Sequence, residues 1–121
     1  MSLRDRIRKL GQTTAELHEE TLETFLSDHP EATPIASVAA RDLVTVVGEV
    51  SRSRIVPGAN GSCHLDLTIK DSTGAVEIRF LGRRSIPGVH PGTRVRVKGR
   101  AMADNWAGQR LRFTNPAYDL L

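Results

Sequence analysis

Cysteine occurs only once in this 121-residue chain, as Cys63. A lone thiol closes no internal disulfide, which excludes the stapled mini-protein class and fits a reducing, cytoplasmic setting. Aromatic residues make up 4% of the chain, so any surface built to stack on flat ligands has little to work with. No apolar run approaches the ~20 residues of a membrane span, so no transmembrane helix is expected. The basic segment Met1 to Leu10 is followed by neither an apolar block nor a small-residue cleavage site, so no secretory signal is read there. No G-x-x-x-x-G-K-[ST] occurs, so nucleotide hydrolysis is not expected. The histidines at 18, 29, 64 and 90 are scattered, and no second thiol joins Cys63. Neither a metal site nor a cofactor is therefore expected. No serine or cysteine has a triad context, which leaves a binding module rather than an enzyme.

What the chain has is an uneven distribution of charge. The total of +3 is the sum of an acidic segment and a basic one: residues 1–40 hold 4 Lys/Arg against 7 Asp/Glu, and residues 41–121 hold 13 against 7. The basic part is also the strand-rich part. Clustered cations on a small β domain point toward a polyanion, because neutralised phosphates release condensed counterions. The same charge could equally serve only solubility.

The pattern changes along the chain. Leu3, Ile7 and Leu10 recur at helical spacing, Gly11 is expected to end that helix, and Thr13 with Glu16 forms a capping box for a second helix running to about Ser27. This arm and its linker, residues 1–40, either dock on the rest, pair with a second copy or fray. From Leu43 the period becomes two. Leu43 to Ile55 reads as a long strand with an interior bend at Gly48, covered on both faces. Leu65, Leu67 and Ile69 alternate with His64, Asp66, Thr68 and Lys70; Asp71-Ser72-Thr73-Gly74 turns the chain; Val76, Ile78 and Phe80 alternate with Glu77 and Arg79. Arg94 to Ala103, with Gly99 as a second bend, and Gln109 to Asn115 complete five strands. The reading is a mainly β fold, a closed five-stranded Greek-key barrel over residues 41–121, since closure removes exposed edges. Val44, Val46, Leu65, Leu67, Ile69, Val76, Ile78, Phe80, Val95, Val97, Leu111 and Phe113 are its expected interior.

The order long strand, hairpin, basic connector, hairpin resembles the OB-fold. More narrowly, Asp71-Ser72-Thr73-Gly74, Phe80, Pro91-Gly92-Thr93-Arg94-Val95-Arg96-Val97-Lys98-Gly99 and Asn115-Pro116-Ala117-Tyr118 look like the OB-fold wedge domain of RecG-type branched-DNA helicases. The full length, arm included, is similar to small stand-alone actinobacterial OB-fold proteins. The resemblance implies nucleic-acid binding, DNA favoured over RNA, without the helicase motor. Where wedges follow the Phe80 position with another aromatic and a polar residue, this chain has Leu81-Gly82. The shared motifs are also plain scaffold, since Asp71 and Gly74 suit a tight turn whatever the ligand.

OB-folds that bind nucleic acid use the outer face of the second and third strands with two flanking loops. That surface here offers Arg52, Arg54, His64, Thr68, Lys70, Arg79, Arg96, Lys98, Arg100, Arg110 and Arg112, with Arg83 and Arg84 in the connector and Trp106 near a loop tip. Trp106 either stacks on a base or folds back as a lid over the core. Asp66 and Glu77 are expected to pair with Lys70, Arg79 or another cation on a neighbouring strand. The competing readings are a protein-interaction adaptor working through the barrel or arm, and a binder of small anionic or sugar ligands.

Overall fold

A computed structural model describes the backbone of residues 3–103 and 110–121, and the side chains of 14–103 and 110–121. Among the described residues one α-helix, α1 (Leu3–Ser27), precedes seven strands: β1 (Leu43–Pro57), β2 (Cys63–Lys70), β3 (Ala75–Leu81), β4 (Arg94–Arg100), β5 (Met102–Ala103), β6 (Leu111–Thr114) and β7 (Ala117–Leu120). The break expected at Gly11 does not occur. A glycine inside a helix costs about 1 kcal/mol relative to alanine, which weakens the helix without ending it. The tryptophan at 106 lies outside the described residues.

The strands form one sheet in the order β5-β6-β3-β2-β1-β4-β7. This corrects the expected closed five-stranded barrel: among the described residues the sheet is an open, strongly curled half-barrel of seven strands, with no ladder joining β5 to β7. The long run from Arg94 is two strands, because Ala101 interrupts it; β4 pairs with β1 and β7, whereas β5 pairs with β6. Asn115-Pro116 ends β6, as its residues suggest, but a further strand follows. Asn115 adopts a positive φ of 47°, and the chain reverses into β7 along β4.

Curling is set by β1, which serves two partners. Its first half, Leu43 to Glu49, pairs with β4, and its second half, Glu49 to Pro57, pairs with β2, with a bulge between Val50 and Arg52. Gly48 sits where the two ladders meet. A Cβ there would lie 2.6 Å from the Lys70 carbonyl oxygen and 2.6 Å from Ile69 Cγ2, so the close approach of β2 requires glycine.

Ten of the twelve expected interior residues are buried, and Val44 and Leu111 are partly so. Ile35, Val50, Ile86 and Ala101 join them. Ile35 is held there by Asp71, a buried carboxylate in the β2–β3 turn. One oxygen accepts from the Ile35 N–H at 2.9 Å; the other accepts from the Thr73 and Gly74 N–H groups at 2.7 and 3.0 Å and the Thr73 hydroxyl at 2.6 Å. The turn residue thus also fastens the segment that follows the helix. The face of β1 opposite Val46 carries Val47, fully buried, and α1 covers that side with Leu22 and Phe25. The Arg94 guanidinium lies 4.6 Å from the centre of the Phe25 ring, and His18 Nε2 is 3.3 Å from Glu49. The arm docks on the outside of the β1–β4 half.

Candidate nucleic-acid interface

The pleat of β1, β2, β3 and β6 sends alternate side chains away from the core, and register lines them up in rows. Arg54, Asp66 and Arg79 stand opposite one another across three strands; Arg52, Thr68, Glu77 and Arg112 form the next row across four; Val56, His64 and Leu81 form the row on the other side. The first two rows, joined by Arg110 at the entrance to β6, line a single groove. Among the described residues, five arginines face two carboxylates in it.

The two acids are used differently. Asp66 is buried, and the Arg79 guanidinium clasps it with two parallel hydrogen bonds, Nε at 2.9 Å and a terminal nitrogen at 3.0 Å. Arg54 approaches the same carboxylate at 3.6 Å and His64 at 3.9 Å. Burial pushes the Asp66 carboxyl up, but the hydrogen bonds and charge of Arg79, helped by His64 and Arg112, outweigh it and hold the group below the ordinary carboxylate range. Glu77 lies nearer the surface. It accepts from Arg110 at 2.8 Å and from the Thr68 hydroxyl at 3.1 Å.

A carboxyl depressed by folding contributes stability that is complete above its unfolded value, near pH 4, and is lost as pH falls through the lowered folded value. Asp66→Asn is therefore expected to lower stability at neutral pH, where it removes the carboxylate that the Arg79 fork clasps, and to flatten the decline below about pH 4. Urea midpoints measured from pH 6 down to pH 2.5 test this; an acid limb as steep in the variant as in the parent would show that the pair is not its source.

The predicted cations do not share one face. Arg52, Arg54, Thr68, Arg79, Arg110 and Arg112 line the groove, with His64 at its rim beside Asp66. Lys70 is at the far end of β2, next to the turn. Arg96 belongs to the half of the sheet covered by α1, where it meets Glu31 at 3.0 Å and Asp119 at 3.6 Å. On that same strand Lys98 stands opposite Thr45 and Ala117, and Arg100 donates to the Arg41 carbonyl oxygen. The connector arginines are exposed, Arg83 beside a separate recess with Asn115 and Tyr118. Among the described residues no aromatic ring lines the groove: Phe80 is in the core and Tyr118 packs edge-on against it at 5.4 Å. Asp66 and Glu77 entered the sequence reading only as counter-ions. Their outward parity was visible in the alternation, but their place at the centre of the groove depends on strand register.

Among the described residues no three His, Cys, Asp or Glu side chains are grouped to hold a metal ion, and no described helix is long and apolar enough to cross a membrane. The family described as OB-fold nucleic acid binding domain matches residues 44–120, nearly the whole sheet. The chain belongs to that family. As an OB-fold nucleic-acid-binding domain it falls in a class of non-enzymatic modules, and its groove lies on the strands that such domains present to a ligand. Among solved structures, the second OB-fold domain of replication protein A from Methanococcus maripaludis is similar, with a TM-score of 0.56 and 16% identity over 74% of this chain and 93% of that one. That likeness is one of fold. No match was found among curated proteins. The matches support the OB-fold family at large, with no narrower tie to RecG wedges or to an actinobacterial group.

Proposed function

We propose that this OB-fold domain binds single-stranded or branched DNA, in preference to RNA, with its phosphates in the groove of β1, β2, β3 and β6. The observation that carries the reading is the excess of arginine there. Among the described residues five guanidinium groups line the groove beside two carboxylates, Asp66 and Glu77, and Arg52 has no ion-pair partner. Guanidinium forks suit phosphate oxygens. The preference for DNA and for branched substrates rests on the resemblance of the turn and connector motifs to RecG-type wedges.

With no described aromatic in the groove, the ~1–3 kcal/mol per base that stacking supplies elsewhere is missing, so binding is backbone-directed and sensitive to salt. Anisotropy of a labelled twelve-residue oligothymidylate, titrated at 20 to 200 mM salt, tests this. Four phosphate contacts predict a log–log slope of about −3. A forked duplex and the matching RNA, run alongside, test the substrate preference: the fork or single-stranded DNA should bind more tightly than RNA. A flat salt dependence, or no binding to any of the three at low salt, would defeat the reading and leave the adaptor function to be tested by pull-down with the arm deleted.

A further inference from the structure

A groove that takes phosphates has reason to exclude carboxylates, since each repels the ligand. Asp66 has a structural explanation: both of its oxygens are occupied by the Arg79 fork, with Arg54 and His64 close by. Glu77 does not share that saturation. A carboxylate offers about four lone-pair sites. Arg110 takes one on Oε1, and the Thr68 hydroxyl, 3.1 Å from both oxygens, has a single proton to give. Two acceptor sites remain, on a side chain that lines the groove between Arg52, Arg110 and Arg112.

We propose that Glu77 reads a guanine in the bound strand. This rests on the nucleic-acid reading above and names the base its groove selects. An unstacked guanine presents two adjacent donors on its pairing edge, N1–H and the N2 amino group, and a carboxylate accepts both side by side. Thymine offers one donor and adenine a single amino group. Single-stranded recognition commonly works this way, with splayed bases hydrogen-bonded on their pairing edges. The arginines flanking Glu77 hold the phosphates on either side of that base and offset the cost of bringing a carboxylate to a polyanion. Thr68 fixes the rotamer, standing directly opposite Glu77 on β2.

The test uses the full chain and three labelled twelve-residue DNA probes: oligothymidylate, the same strand with two central deoxyguanosines, and that strand with deoxyinosine at those two positions. Inosine keeps N1–H and lacks the N2 amino group. The guanine probe should bind about tenfold more tightly than oligothymidylate, within the range of one bidentate base contact, and inosine should lose most of that gain. Glu77→Gln should reduce the preference to under about twofold. Equal affinity of the parent for all three probes, or a preference that survives in Glu77→Gln, overturns the guanine assignment and leaves the nucleic-acid function standing. Absence of binding to any probe overturns both. The inosine comparison needs no variant, so it decides the matter even if Glu77→Gln folds poorly.

Discussion

Replacing Arg52, Arg54 and Arg112 together by alanine is expected to weaken binding to single-stranded DNA about 100-fold at 0.1 M salt. Each phosphate contact to a single strand contributes about 0.7 to the log–log salt slope, and at that salt about 0.7 decades of affinity, so three contacts amount to roughly two decades. The salt slope should become shallower by about 2 in the same experiment. These three are chosen because the shortest ion pairs of the groove, Asp66 with Arg79 and Glu77 with Arg110, remain without them. Asp66 retains Arg79, and Arg54, itself more than half exposed, reaches that carboxylate only at 3.6 Å, so its loss should cost little stability. Arg96→Ala with Lys98→Ala is the matched control. Those residues sit on the half of the sheet covered by α1, and Arg96 is occupied by Glu31 and Asp119, so the control should change affinity less than threefold. A control as damaging as the triple variant would mean that diffuse charge, and not the groove, attracts the ligand.

Gly48→Ala should be the most destabilising single methyl that can be added to the β1 strand. The new carbon would sit 2.6 Å from a backbone carbonyl oxygen of β2 and 3.0 Å from its carbon, and backbone inside a ladder cannot step aside as a side-chain tip can. Overpacking of this kind costs about 3 kcal/mol, at the upper end of the usual range. That is a large part of the ~5–15 kcal/mol that holds a domain together. A fall in Tm on the order of 15 °C follows for a domain of this size. Gly99 supplies the contrast. Its nearest neighbours are Pro116 Cβ at 3.2 Å and a Phe113 ring carbon at 3.3 Å, which need to give by only a few tenths of an ångström, so Gly99→Ala should cost clearly less. If thermal melts showed both variants within 3 °C of the parent, the two-partner geometry of β1 would be in error.

Both expectations begin in the sequence and end in contacts between distant segments. Alternation is a local property: two consecutive residues of a strand point to opposite faces whatever the strand pairs with. Leu65, Leu67, Ile69, Val76, Ile78 and Phe80 could therefore be assigned to the interior, and Thr68 and Arg79 to the outside, without any knowledge of partners. The Asp71 turn is equally local, since its hydrogen bonds to Thr73 and Gly74 span two and three residues. Its fourth bond, to Ile35, spans 36 residues and could not be read the same way. Helix continuity across Gly11 is not legible in the same way, because a glycine weakens a helix without stopping it.

The primary structure by itself determined a β domain with a helical arm, the OB-fold family and which residues face away from the core. Side-chain parity, turn chemistry and composition act over a few residues and survive without tertiary information. Only the folded chain decided that the sheet stays open, that Ala101 splits one run into two strands, and that Arg96 and Lys98 leave the groove to Arg52, Arg54, Arg110 and Arg112. Those outcomes depend on which strand lies beside which and in what register. Register is settled by the simultaneous burial of the whole core and by the bend at Gly48, and no single segment carries it.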